Sequence, residues 1–443
     1  MGRKAIGGIA MSQLTVNEFE FLRKLISINS TGGDPMPGKP YGEGPYEALE
    51  FFLGQAEASG MRTGILDGRV GWCEIGPESS PELFGIVCHL DVVPGGDGWD
   101  TEPFELTFDG KRFKGRGIVD DKGPAAAAFF AMRRLMNSGF SLDCRVRLIL
   151  GTDEERTCSC VEYYAEHGEI PTFAITPDAE YPVIYAEKGI MHIKVSGPAS
   201  NVTAEGGSAA NMVPASAWMT TGNGKKTAAG RTAHASRPEL GVNAIFELCK
   251  KLSSEGFNFK KSPLLDFINS ELVPCSSYEY TGCTIKDESG TVTANPSLLK
   301  CTRDLESLII DVRCPISYKM EDITSHLDSL AKPYGLSCKT ISSMAPICKE
   351  KSAKEIKILT DIWKENMSKY YGFEESFLEK YSEPLAIGGG TYARHIPNTI
   401  AFGLQAPWQE DVCHQANESR RLSDFEADID VLTEAIKRLS GAI

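Results

Sequence analysis

Apolar positions over the first 180 residues switch repeatedly between helical and strand patterns. From Leu14 to Ile28, Phe19, Phe21, Leu22, Leu25 and Ile26 fall at the three-and-four spacing of a helix with one apolar stripe. Tyr46 to Ala58 predicts a second helix. Leu83 to His89 is instead a short, nearly continuous apolar run, as in a strand covered on both faces. A helix is predicted from Pro124 to Ser138: proline suits the first turn, the alanines favour helix, and Gly139 stops it. Arg145 to Leu150 reads as a strand, Val161 to His167 as a short helix and Phe173 to Thr176 as a strand. This alternation predicts an α/β fold with a mostly parallel sheet.

From about Lys188 the texture changes. Glycine, serine and threonine are dense from Ser196 to Arg231, a strand is predicted at Leu308 to Arg313, and a helix from Met320 to Ala331. Helical patterning returns from Ala353 through Lys369, a strand-like Thr399 to Leu404 follows, and Phe425 to Leu439 closes the chain as a helix. The expected organisation is a discontinuous α/β domain over 12–187 and 353–443, an inserted α+β domain over 188–352, and an N-terminal extension over 1–11. Two domains also suit 443 residues.

A hydrophobic content of 42% with 24% charged residues describes a globular protein. The net charge of -14 argues against nucleic acid or an anionic membrane as partner, and no apolar run is long enough to span a bilayer. The 13 cysteines form no CxxC pair and no framework, which points to a reducing, cytoplasmic compartment. Cys88 and Cys413, each beside a histidine, are read as packing residues.

The candidate chemistry gathers where apolar runs give way to turns, at His89, Asp91, Asp120, Glu154, Glu155, Asp178 and His414. In open α/β sheets such strand ends are where sites form. Imidazoles with carboxylates make a donor set for divalent cations such as zinc or manganese. Spacing of two points His89 and Asp91 the same way, so His89 can meet a metal while Asp91 fixes its ring. The alternative is a surface His–Asp pair. Of Asp120 and Asp121, one can cap the following helix and leave the other to bridge cations. Asp153, Glu154 and Glu155 directly follow a strand, a costly place for like charges unless cations neutralise them. One glutamate can bind metal while its neighbour acts as base. Gly115-Arg116-Gly117 is no dinucleotide fingerprint, Gly388–Gly390 is no P-loop, and no serine sits in a nucleophile elbow. The triple glycine instead suits close approach by a peptide backbone.

Seven segments carry a resemblance: HLDVVPGGDGW (89–99), GRGIVDDKGP (115–124), GTDEE (151–155), TPDAEYP (176–182), GRTAHASRPELGVNA (230–244), IGGGTYAR (387–394) and CHQANE (413–418). In this order the chain resembles the M20 metallopeptidases, and among them the PepV-like dipeptidases of the Xaa-His dipeptidase or carnosinase-like group. The resemblance implies a zinc-peptidase-like catalytic domain with a mixed, mostly parallel sheet, split around an inserted α+β lid. It implies two divalent ions, zinc first, with manganese or cobalt also suited. His89 and Asp178 would hold one ion, Glu155 and His414 the other, and Asp120 would bridge them across a cis Asp120–Asp121 peptide. Glu154 resembles the general base and acid, and Asp91 the residue that orients His89. His234 would stabilise the oxyanion, Arg313 would grip the substrate carboxylate, and Asn211, Gly389, Gly390 and Thr391 would contact substrate. One departure is Arg156-Thr157-Cys158-Ser159-Cys160 after Glu155, where relatives more often carry serine or glycine.

The expectation is therefore a cytoplasmic, monomeric dipeptidase with an enlarged lid and a small peptide substrate. An N-acyl amino acid deacylase or desuccinylase would use the same ligands. An inactive metal-binding homologue is the reading from another class.

Overall fold

The computed structural model describes residues 14–221, 224–275 and 277–442. The expected N-terminal extension at 1–11 lies outside the described residues. The chain divides into two compact units. The first holds the described residues up to Tyr185, Glu350–Leu385 and the chain from Thr391 onward; the second holds Ala186–Lys349 and Ala386–Gly390.

The first unit is built on a mixed sheet. Arg62–Leu66 and Val70–Ile75 form an antiparallel hairpin, and Val70–Ile75 also pairs antiparallel with Arg145–Gly151. From there the pairing is parallel: Arg145–Gly151 with Leu83–His89, then Phe173–Thr176, then Thr399–Ala401. Every residue of Leu83–His89 is buried, which explains its unbroken apolar run. His89 pairs with Gly151 at the ends of neighbouring parallel strands, so both chains leave the sheet on the same edge. Asp178 follows the end of Phe173–Thr176 by two residues. Adjacency at the carboxyl edge thus converts scattered sequence positions into one neighbourhood.

Helices hold that sheet in place. Val16–Ser27 starts with a capping box in which the Thr15 hydroxyl accepts from Glu18 N at 3.2 Å and Glu18 accepts from Thr15 N at 2.8 Å. Its Phe21 meets Phe52, Phe129 and Phe130 with ring centroids 5.0–5.4 Å apart. Truncating one such ring to alanine typically costs about 3–5 kcal/mol. Lys122–Ser138 buries Ala125 through Met132 without a break and ends at Gly139, which takes a left-handed φ of 70°. The small alanines let Leu422–Ser440 pack alongside this helix.

The second unit is α+β. Its seven-stranded sheet runs, in order, Gly224–Ala229, Ser216–Thr221, Thr203–Gly206, Thr293–Cys301, Glu306–Cys314, Gly189–Gly197 and Ser337–Met344. All the pairings are antiparallel. Ala244–Ser254 and Met320–Ala331 supply Leu248, Leu252, Ile323 and Leu327 to a core shared with Ile193, Leu308 and Ile310. No helix among the described residues is long and apolar enough to cross a membrane.

Candidate metal centre

Two groups of donor atoms meet at the carboxyl edge of the mixed sheet. One comprises His89, Asp120 and Asp178; the other comprises Asp120, Glu155 and His414. Within each group the donor atoms all lie within 4.8 Å of one another. His89 Nε2 is 3.0 Å from Asp120 Oδ1 and 3.5 Å from Asp178 Oδ2. His414 Nε2 is 2.9 Å from Asp120 Oδ2 and 3.1 Å from Glu155 Oε2. Asp120 therefore turns one oxygen to each imidazole. The Asp120–Asp121 peptide is cis.

These residues fit a pair of divalent ions. Tetrahedral coordination at zinc bond lengths spaces neighbouring donors by about 3.3 Å, close to the separations found. The buried atoms His89 Nε2 and Glu155 Oε1 have no hydrogen-bond partner in the structure. His89 Nε2 is near a carboxylate oxygen yet not directed at it, as expected of donors aimed at a common third point. An orphaned nitrogen and oxygen in the interior would be costly without an occupant.

Electrostatics agree. Burial works against a charged His89, but Asp120, Asp178 and Asp91 outweigh it and hold its pKa well above the usual imidazole value. Hydrogen bonds to Asp120 and Glu155 raise His414 to about 10. Burial raises Glu155 and Asp178, and pushes Glu154 up to about 8 with help from Asp178, Asp120 and Glu155. In Asp120 the two imidazoles overcome burial and hold the carboxyl below its usual range. Metal-free protein at neutral pH thus carries protons that cations must displace. Raised pKa values keep these protons on the ligands at neutral pH, and the cost of displacing them falls as pH rises. Apparent metal affinity is therefore expected to increase with pH between 6 and 8, by about tenfold per unit for each proton displaced. Calorimetric titration in buffers of different ionisation enthalpy counts those protons; affinity that falls with pH would contradict the assignment.

Local structure explains how the site is held. Asp91 Oδ1 and Oδ2 accept from the backbone N–H groups of Glu154 and Glu155, both at 3.0 Å. Its backbone carbonyl lies 3.0 Å from His89 Nδ1, whereas its carboxylate is 3.6 Å away. Asp91 thus meets the ring through its main chain and spends its carboxylate on the two glutamates. Asp121 makes no side-chain helix cap; its Oδ2 accepts from His89 N at 2.9 Å. The third acid of the run, Asp153, pairs with Arg156 at 3.0 Å and accepts from Ser159 Oγ at 2.9 Å. That leaves Glu154 as a partly exposed carboxylate, with Oε2 4.0 Å from His89 Nε2 and Cys158 Sγ 3.8 Å from Oε1. Gly151 opens the run because a Cβ there would collide with the Tyr392 hydroxyl.

The remaining expected residues lie as follows. In the second unit, Met212 and His234 form an antiparallel bridge beside Asn211, whose carbonyl accepts from Ala235 N at 2.9 Å. His234 Nδ1 accepts from Ser236 N at 3.2 Å, which places a neutral ring's proton on Nε2. Burial, with Arg313 and Arg237, lowers the His234 pKa and favours that neutral form. Arg313 donates from Nε and Nη2 to Asp311 at 2.7 and 2.9 Å, and from Nη1 to Gly388 O at 3.1 Å. One N–H on each Nη remains uncommitted by these bonds. A Cβ on Gly389 would meet Ile387 Cδ1 at 3.8 Å, an ordinary contact, and Gly390 is exposed. Thr391, in the first unit, caps the short turn Tyr392–Arg394 by accepting from Ala393 N at 3.2 Å.

Two residues next to the centre went unnoticed in the sequence. Glu418 and Arg116 are both buried and paired at 2.9 Å. Glu418 closes the CHQANE segment, but nothing in the pattern of that polar stretch separates it from a surface acid.

The sheet and its edge define an α/β enzyme of the peptidase class, and comparison with known proteins agrees. The model of Peptidase family M20/M25/M40 matches residues 85–438, and the chain belongs to that family. A Bacillus subtilis protein named "Putative dipeptidase YtjP" is 31% identical over 471 residues, covering 95% of this chain and 96% of its own. A Staphylococcus haemolyticus protein named "Putative dipeptidase SH1171" is 30% identical over 441 residues, covering 90% of this chain and 91% of its own. Among solved structures, aminoacylhistidine dipeptidase from Vibrio alginolyticus aligns with a TM-score of 0.60 at 13% identity, over 98% of both chains. Human carnosine dipeptidase 1 aligns with a TM-score of 0.57 at 15% identity, over 96% of this chain and 97% of its own. These two share the fold.

Proposed function

We propose that this chain hydrolyses the amide bond of dipeptides at a centre of two divalent ions, zinc in the first instance, with manganese or cobalt able to substitute. The observation that carries this reading is the sharing of Asp120 between two donor groups with the Glu154 carboxylate alongside. Full-length likeness to relatives named as dipeptidases supports the substrate class.

His89, Asp120 and Asp178 would hold one ion, and Asp120, Glu155 and His414 the other. Such ions supply Lewis acidity and lower the pKa of water from about 15.7 to about 7. Glu154 takes a proton from the attacking water, holds it on its carboxylate, and delivers it to the leaving amine nitrogen. Asp91 keeps Glu154 and Glu155 in register through their backbone N–H groups. The second unit is assigned the substrate-binding role. His234 offers its Nε2 proton to the oxyanion, and Arg313 binds the terminal carboxylate, which limits substrate length. Asn211, Gly389, Gly390 and Thr391 line the peptide. The protein acts as a cytoplasmic monomer in this reading.

A metal-dependent hydrolysis screen tests it, with dipeptides, tripeptides, longer peptides and N-acetyl and N-succinyl amino acids compared side by side. Dipeptides are expected to give the highest kcat/KM. Preference for the N-acyl compounds would replace dipeptidase by deacylase, and metal-loaded protein silent on every amide would leave an inactive homologue.

A further inference from the structure

The loops that carry the candidate ligands have little regular structure of their own, so something else must fix them. Asp120 lies in the irregular stretch before the Lys122–Ser138 helix, and His414 lies in a loop with a left-handed φ of 62°. One fully buried carboxylate, four residues past His414, reaches the Asp120 stretch. Glu418 follows His414 by four residues and immediately precedes the Ser419–Arg421 strand, which pairs antiparallel with Arg112–Lys114. That pairing continues as Gly115 N donates to Glu418 O at 3.1 Å. The side chain is thereby turned into the Asp120 loop. Its Oε1 accepts from Val119 N at 2.7 Å and Asp120 N at 3.2 Å. Its Oε2 accepts from Gly117 N at 3.1 Å and from Arg116 Nη1 at 2.9 Å. Arg116 in turn donates from Nη2 to Pro94 O at 3.3 Å and Gly95 O at 3.2 Å, in the loop that follows His89 and Asp91.

We propose that the Glu418–Arg116 pair is a buried clasp that sets the register of the three ligand loops, and that Glu418 is the positioning residue for Asp120, the donor common to both groups. The inference rests on the reading that these groups hold ions. The bonds favour positioning over simple filling of space. A buried carboxylate carries a heavy desolvation cost unless its lone pairs are met, and here the donors that meet them come from the backbone on either side of Val119 and from Asp120 itself. None of them belongs to a sheet or helix ladder. A shift of a few tenths of an ångström at residue 120 would misdirect both of its oxygens, one toward each imidazole, while leaving the fold intact. Partners outside the ligand sphere typically control metal affinity by about 10–100-fold.

The test is a calorimetric titration of chelator-stripped, full-length protein with Mn2+, repeated for Glu418→Gln. Glutamine keeps the size and one acceptor oxygen, but sets an amide N–H2 against the Gly117 and Arg116 donors. Wild type is expected to show two binding events. In the variant both events weaken by about 10–100-fold, because Asp120 faces both imidazoles, while the metal-free unfolding temperature stays close to wild type. At saturating Mn2+, kcat returns toward the wild-type value. Two unchanged events would overturn the proposal, as would parallel loss of both in step with a lowered metal-free unfolding temperature. If Glu418→Gln does not fold, Arg116→Lys is titrated instead. It keeps the charge beside Glu418 and loses the reach to the 94 and 95 carbonyls, so weakening of both events at an unchanged metal-free unfolding temperature is expected, and unchanged events, or weakening that tracks a lowered unfolding temperature, overturn the clasp. Wild-type protein that takes up no ion would overturn the proposed function, and the clasp's role with it.

Discussion

Replacing Glu154 by glutamine is expected to lower kcat by about 10²–10⁴-fold while fold and metal content stay as in wild type. The carboxylate stands outside both donor groups, 4.0 Å from His89 Nε2, so its loss removes no ligand. Its backbone N–H is held by Asp91 Oδ1 at 3.0 Å, and an amide side chain disturbs nothing in that bond. What disappears is the ability to accept a proton from water and return it to the amine. In metal-free protein burial and its acidic neighbours raise this carboxyl to about 8; cations held by those neighbours lower it again and leave it ionised to take the proton. Activity within tenfold of wild type, in protein shown to carry the same metal, would remove Glu154 from the mechanism.

The second large effect is expected at Asp120. Asp120→Ala removes the one carboxylate that faces both imidazoles, with oxygens 3.0 Å from His89 Nε2 and 2.9 Å from His414 Nε2. Both ions should weaken by more than about 100-fold, because losing a shared ligand exceeds the loss of an outer partner. Turnover should vanish with them. The loop itself should persist, since the bond to Glu418 uses the backbone N–H of residue 120. Without metal, the side-chain partners that raise His89 and His414 are reduced, so both imidazoles should titrate at lower pH than in metal-free wild type. Proton NMR of the ring signals, beside elemental analysis of dialysed protein, checks both halves. Retention of either ion at wild-type affinity would contradict the shared role of Asp120.

The α/β alternation was legible because buried parallel strands are nearly pure apolar runs. Leu83–His89 and Phe173–Thr176 have the limits that their patterns predict. The Arg62–Ile75 hairpin escaped notice because Glu74 is buried in a strand, where it pairs with Arg62 at 2.8 Å and Arg147 at 2.6 Å. Such a pair reads as solvated surface until the fold closes over it. In the second unit, strands such as Gly224–Ala229 are half exposed and rich in lysine, threonine and alanine, so their alternation carries little apolar signal. The candidate ligands were legible for a different reason: His89 ends a buried apolar strand, and Glu155 and Asp178 stand just past the ends of two others. What their neighbours do was not legible. Whether Asp120 or Asp121 faced the centre stayed open on spacing alone, and the structure turns Asp120 to the imidazoles and Asp121 to His89 N. The carboxylate of Asp91 likewise serves the backbone of Glu154 and Glu155, a contact between residues 63 and 64 positions apart that no local pattern encodes.

Elemental analysis of the purified protein, paired with activity before and after chelation, bears most directly on a centre built from five residues of distant segments. Two equivalents of divalent metal per chain are expected, with peptide hydrolysis lost on stripping and regained as the second equivalent is returned. Protein that hydrolyses dipeptides at full rate with no bound divalent ion would contradict the account.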